Sequence, residues 1–381
     1  MQRYEFGKAA QVLQREIAAA SRAGKSTDRL EADLARANMG QDMLRGTEKV
    51  TFVDSFVVDR DHVLEALKFT SQVGTLVDMQ SAKAEFSQLP AEFGQTAFVN
   101  ELADRIYFSA TDTAGQAKGL WTAYRNGKKW GTASPLSGLD DVEADRDYPF
   151  VMPDGLSLYF AAQGDESLGG YDIFVTRYNT DTRQFLKAEN LGMPFNSPAN
   201  DYLMGIDEQN GLGWFVTDRN QPADKVCVYV FVPSTTRDVY ELTNANEAQV
   251  IRAARIASIS DSQTDQAAVS EARNKLAAVK NGVTVSAPKA RRYVINDQTV
   301  YTSLSQFKSE AARRIAEQAD ETLDKLNAML SRRDELELQV AQNGSTATLR
   351  DELQEVNAAI PSLETTYKEL CKNMRISETA H

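Results

Sequence analysis

At 381 residues, with 42% hydrophobic and 25% charged side chains, the chain has an ordinary globular balance and the length for two or three domains. Its net charge of −12 resides in residues 50–236, where 26 Asp and Glu stand against 14 Lys and Arg, so this stretch would repel a nucleic-acid backbone. The two cysteines and two histidines lack metal-type spacing, and no apolar run is long enough to span a bilayer as a helix, which excludes a typical zinc site and a transmembrane helix.

Residues 1–48 predict a helical hairpin. Tyr4, Ala9, Val12, Leu13, Ile17 and Ala20 recur at helical spacing, Gly24-Lys25-Ser26-Thr27 interrupts them, and Leu30, Leu34, Ala37 and Met43 resume. A hairpin of this size resembles one tetratricopeptide unit. A single unit cannot bury its own apolar face, so it must lean on a neighbour, either the strands that follow or the C-terminal helices.

The pattern changes to strands over residues 49–236, from Val50-Thr51-Phe52-Val53 to Val226-Cys227-Val228-Tyr229-Val230-Phe231-Val232. Within it one motif is written twice. Asp147-Tyr148 opens Phe150-Val151-Met152-Pro153-Asp154-Gly155-Leu156-Ser157-Leu158-Tyr159-Phe160, and Asp201-Tyr202, 54 positions later, opens a second copy that ends Gly213-Trp214-Phe215. A fainter copy places Phe98 at 52 positions before Phe150. Short apolar runs divided by tight turns, at a period near fifty, predict the blades of a small or incomplete β-propeller. In Pro153-Asp154-Gly155 the proline fixes φ and the glycine is free to adopt positive φ.

Residues 237–304 predict helix around Val250, Ile251, Ala254, Val269, Ala272 and Leu276, then a short hairpin of Tyr293-Val294-Ile295 and Thr299-Val300-Tyr301. About three and a half blades are legible upstream, so this late hairpin is expected to supply the missing strands and cover an open edge. Residues 305–381 predict an antiparallel coiled-coil hairpin. Leu349, Leu353, Val356, Ile360, Leu363, Tyr367, Leu370 and Met374 alternate steps of four and three, and Ile315, Ala319, Thr322, Leu326, Met329, Arg333, Leu336 and Val340 share that rhythm. Asn343-Gly344-Ser345 is the expected turn, and Pro361 is expected to kink the second helix or cost it one hydrogen bond.

Few residues point to chemistry. Asp141, Glu143, Asp145 and Asp147 alternate and are a weak calcium candidate, but the run lacks the glycine and glutamate of an EF-hand loop and reads more simply as a solvated inter-blade loop. No nucleophile motif occurs, His62 reads as an exposed polar turn, and no cofactor motif is present. Asp218-Arg219 suits a local ion pair. Trp121, Tyr124, Trp130, Tyr171, Phe174, Tyr178 and Trp214 are core candidates or, if exposed together, a binding face. The sequence allows either a Cys227–Cys371 disulfide or two free thiols.

Residues 150–160, followed by Gly169-Gly170-Tyr171-Asp172-Ile173-Phe174-Val175, resemble the WD-like propeller repeat with a Pro-Asp-Gly turn. That repeat is found in the Tol-system periplasmic propeller and in cell-envelope proteins of the Bacteroidetes. The resemblance covers about residues 95–235. It implies a propeller and a location in the periplasm or at the outer membrane if an export signal was removed, the cytoplasm otherwise. It implies no catalytic site. The expectation is a non-enzymatic envelope scaffold or adaptor. Its partners would be other envelope proteins or a second copy held through the coiled-coil seam. A glycan- or peptide-binding module and a propeller hydrolase or lyase are the alternatives. A glycan or peptide binder requires aromatics clustered beside Asp or Asn on one face; a hydrolase requires close carboxylates, or a carboxylate with His62, in a pocket. Because the repeated residues are turn and strand grammar, the functional surface is expected in the unrepeated parts, the acidic loop at 140–147 and the hairpin.

Overall fold

The computed structural model describes residues 3–379 apart from 71–72, 87–88, 91, 102, 104, 112–115, 127–128, 140–143, 183, 235, 281–292, 297–298, 302 and 344–345. The chain divides into two compact units, residues 1–285 and 286–381.

The first unit opens with the expected helical hairpin, α1 (Phe6–Arg22) and α2 (Asp28–Arg45). Asp28 and Glu31 in the first turn of α2 complement its dipole. The hairpin leans on its own unit: Phe6 and Leu44 bury against Leu168, Met193 and Val250, the last on α5 (Glu247–Ala254) once the intervening elements are in place.

Those elements are β1 (Thr51–Asp59), α3 (Val63–Ala66), β2 (Thr75–Asp78), α4 (Met79–Ala82), β3 (Glu92–Val99), β4 (Arg105–Thr111), β5 (Gly119–Asn126), β6 (Lys129–Trp130) and β7 (Ser134–Pro135). Then come β8 (Asp145–Val151), β9 (Ser157–Gln163), β10 (Asp172–Asn179), β11 (Gln184–Phe185), β12 (Glu189–Asn190), β13 (Asp201–Asp207), β14 (Leu212–Thr217) and β15 (Lys225–Val232). They form three antiparallel sheets in the order β2-β3-β4-β5-β6, β8-β9-β10-β11 and β13-β14-β15-β1, with β7 also on β5 and β12 also on β10. β3 and β4 pack on β8, and β8 and β9 pack on β13, so the curled meanders stack side by side in a propeller-like arrangement. Phe69, from the segment after α3, stands between them: its ring lies 5.4 Å from Phe150 of β8 and 4.9 Å from Trp214 of β14. Phe150 in turn meets Phe98 of β3 at 4.9 Å.

The strand that completes the third sheet comes from the opposite end of the region to the one expected. β1 pairs with β15 from Thr51↔Val232 to Asp59↔Lys225, whereas Tyr293–Asn296 and Thr299–Tyr301 pair with each other in the second unit. Nine residues of β1 can cover the long apolar edge of β15; strands of four and three residues cannot. The outer side of the third sheet is covered in part by α6 (Gln266–Lys280), whose Ala272 and Leu276 join Val53, Val228 and Trp214. The Pro153-Asp154-Gly155 turn forms as expected. Gly155 has φ 66°, Met152 O accepts its N–H, and Asp154 Oδ1 accepts Leu156 N and Ser157 N, each at 2.8 Å.

The second unit holds β16 (Tyr293–Asn296), β17 (Thr299–Tyr301) and two long antiparallel helices, α7 (Glu310–Asn343) and α8 (Ala347–Thr379). At 34 residues α7 is about 50 Å long. Gly344 and Ser345 of the expected turn, and the side chain of Val340, lie outside the described residues. Val356 and Ile360 are buried against Leu326 and Leu336, with Leu323, Met329, Leu349, Leu353 and Leu363 flanking them. Met374 belongs instead to a cluster with Tyr293, Ile295 and Ala316, while Tyr367 and Leu370 are half-buried. α8 runs unbroken through Pro361. The proline has no N–H for the carbonyl of Asn357, and both residues are exposed, so water can take that place. Cys227 in the first unit and Cys371 in the second are free thiols.

Candidate functional site

The inner strands of the three sheets each carry a register irregularity near their first residues: at Phe93/Ala97 in β3, Asp147/Phe150 in β8 and Asp201/Leu203 in β13. A bulge re-aims the side chains around it. In the two clear repeats the residue so placed is the tyrosine of the Asp-Tyr pair. Tyr148 takes φ 56°, a left-handed conformation that an aromatic residue rarely adopts. It is held there by Asp147, whose Oδ1 accepts Tyr148's own N–H at 2.7 Å while Oδ2 accepts Gln95 N at 2.9 Å. The Asp147 carboxylate sits directly over Gly94; a Cβ at that position would stand 2.5 Å from both its oxygens.

As a result Tyr148 and Tyr202 converge with Tyr171, which precedes β10, at one end of the sheets. Ring centroids are 5.4 Å apart for Tyr148–Tyr202, 6.0 Å for Tyr148–Tyr171 and 6.2 Å for Tyr171–Tyr202. Tyr148 and Tyr202 are each 7% exposed, so their rings support the cluster, and the half-buried Tyr171 offers the accessible ring. The hydroxyls are anchored: Tyr148 Oη donates to Gln95 Oε1 at 3.0 Å and Tyr202 Oη to Asp218 Oδ2 at 2.8 Å. Burial, with Asp218 as neighbour, raises the Tyr202 phenol, and burial followed by the charge of Asp147 pushes Tyr171 up to about 12. Both therefore remain protonated at neutral pH.

Arg60, in the turn after β1, completes the end. Its guanidinium carbon lies 5.3 Å from the Tyr202 ring centroid and its Nη2 is 3.3 Å from Asp218 Oδ2. Asp218 is braced further by Asn200, which donates N–H and Nδ2 to it at 2.8 Å each. Arg60 Nε is buried without a hydrogen-bond partner among the described residues, an orphan donor beside an aromatic cluster. This end can stack a planar or apolar group on Tyr171 and offer positive charge from Arg60.

Asp218 and Arg219 do not pair with each other. Asp218 serves Arg60, whereas Arg219 turns inward to Asp201 Oδ1 at 2.7 Å and to the carbonyl of Pro194 at 2.8 Å and that of Phe195. Adjacent side chains of a strand end point to opposite faces, which adjacency in the sequence conceals. Burial and the charge of Asp201 raise Asp172 to about 7. Asp172 is fully buried, however, and its oxygens accept Leu168 N, Gly169 N and Asn190 Nδ2, so it braces a loop and cannot reach a substrate.

Of the acidic run, Asp141 and Glu143 lie outside the described residues. Asp145 Oδ1 accepts Lys118 N at 2.9 Å, and the Asp147 carboxylate is taken up by backbone donors as above. Among the described residues no three His, Cys, Asp or Glu side chains converge on a metal position. His62 is an exposed turn residue 3.2 Å from Glu65. Trp121, Trp130, Phe174 and Trp214 are core, Tyr178 is half-buried, Tyr124 is exposed, and Tyr171 alone of that set joins the cluster. Tyr148, Tyr202 and Arg60 carried no site signal in the sequence beyond the repetition of Asp-Tyr. No protein-family model matches the chain, and neither a curated protein nor a solved structure matches it.

Proposed function

We propose that this chain is a non-enzymatic cell-envelope scaffold or adaptor. Its first unit is read as a small or incomplete propeller of the WD-like, Pro-Asp-Gly type, preceded by a tetratricopeptide-like hairpin. The second unit is read as a coiled-coil hairpin that provides a separate contact with an envelope protein. The observation that carries the reading is the Tyr148–Tyr171–Tyr202 cluster, built from consecutive repeats at one end of the sheets, with Arg60 Nε, which has no hydrogen-bond partner among the described residues, beside it. Such an end suits an extended protein segment that lays an apolar side chain on Tyr171 and a carbonyl or carboxylate against Arg60. The hairpin seam is filled from within, by Leu326 and Leu336 against Val356 and Ile360, so its exposed flanks would serve a partner better than the seam itself.

A glycan or peptide ligand is the second reading, favoured by the presence of Asp218 and Asn200 beside the tyrosines. The test is crosslinking in envelope fractions with wild type, Tyr171→Ala, Arg60→Ala and a deletion of residues 305–377. Loss of one defined crosslinked protein in both point variants, with sheet-unit fluorescence unchanged, is expected. If every variant keeps the wild-type crosslinks, the adaptor reading fails; binding of soluble oligosaccharides that is lost in the same variants would favour the second reading.

A further inference from the structure

A cavity of about 370 Å³ lies on the first unit away from the tyrosine end, between the start of β1, Pro194, Tyr240, α5 and the turn that follows α5. This is within the size range of small-ligand sites. Its walls are mostly apolar: Val50, Phe52, Pro194, Ala253 and Ile256 line it. Several of its polar groups are already engaged. Arg252 and Asp261 satisfy one another, with Nε and Nη2 at 3.1 and 2.6 Å from Asp261 Oδ2. Ser262 Oγ accepts Phe52 N and donates to Ile259 O.

Glu48 is different. It lines the cavity, its side chain is only 20% exposed, and its carboxylate accepts no hydrogen bond among the described residues. The nearest cation, Arg237, is 57% exposed with Nε 3.9 Å from Glu48 Oε2, a loose pair of the kind worth little. Burial raises the Glu48 carboxyl above the ordinary range in spite of Arg237, so an opposite charge delivered into the cavity would meet an uncompensated acceptor.

We propose that this cavity binds a small primary amine with a short apolar body, its ammonium on Glu48 and its carbon chain along Phe52, Pro194 and Ile256. The identity of the charge follows from what is left over: Arg252 is neutralised by Asp261, so the lining carries one net negative charge at Glu48. An anionic or neutral apolar ligand would leave that carboxylate buried against hydrocarbon.

The experiment is calorimetric titration of the full chain at low salt and neutral pH with hexan-1-amine, hexan-1-ol and hexanoate. The amine is expected to bind at least about ten-fold more tightly than the alcohol, the gain of one charge-assisted contact, and hexanoate not at all. Glu48→Gln should remove that preference, and Ala253→Phe should block the cavity. Equal binding of amine and alcohol, no binding of the amine, or a preference for the amine that survives Glu48→Gln would each overturn the proposal.

Discussion

The two units solve the same problem, burying enough apolar surface to fold, in opposite ways. In the sheet unit the contacts are made between residues far apart in the chain: β1 with β15, Phe69 with Trp214, Phe98 with Phe150. The same interior holds charge, with the Arg219–Asp201 pair 4% and 0% exposed. In the helical unit the seam of Leu326, Leu336, Val356 and Ile360 joins two helices that are neighbours in the chain, and the ion pair across them, Arg332–Glu352, is some 40% exposed and worth less than about 1 kcal/mol. Polar groups inside the sheet unit therefore define geometry, whereas the exposed Arg332–Glu352 pair across the hairpin is replaceable.

The strongest way to break this contrast is Arg219→Ala, which strands the Asp201 carboxylate in the core and should cost the sheet unit about 3–5 kcal/mol. All three tryptophans, Trp121, Trp130 and Trp214, lie in that unit, so the urea transition followed by their fluorescence should move to lower denaturant. An unmoved transition would mean that the buried pair is dispensable. Next in size is Leu336→Ala, at a fully buried position of the seam, expected to cost about 3 kcal/mol. Hydrogen exchange should show lost protection in α7 and α8 while the tryptophan transition stays in place. If both respond, the units are not independent.

A third effect depends on pH. Asp172 is raised to about 7 in the folded chain, above its ordinary value of 3.8, so between these values the folded state retains a proton that the unfolded state releases. Its contribution therefore falls as pH rises from about 4 to 7 and then levels off, a loss of more than about 1 kcal/mol. Asp172→Asn should flatten that decline relative to wild type; parallel stability–pH curves would count against it. The smallest change is Gly155→Ala. No atom lies within 4 Å of the added Cβ, so the cost is that of positive φ alone, about 1 kcal/mol, read as a small shift of the thermal midpoint.

Much of this architecture is legible along the chain. The 3.6-residue spacing of α1, α2, α7 and α8, the doubled strand motif and the Pro153-Asp154-Gly155 turn are local patterns, and the local backbone obeys them. The site is less legible. The Asp-Tyr repetition is visible, but as grammar of a strand; that Tyr148 and Tyr202 meet Tyr171 depends on bulges in β8 and β13 that have no local signature. Arg60 and Asp218 are 158 residues apart and meet only because β1 lies along β15.

The sequence by itself determined the order of elements, the acidity of residues 50–236 and the period of the repeats, because each is set by residue type and near-neighbour spacing. Tertiary structure alone decided which strand completed the third sheet, which arginine met which aspartate, and which face of each repeat became a surface. Those outcomes depend on loop closure over more than a hundred residues and on the competition of buried polar groups for partners. Neither leaves a mark on any short stretch of chain.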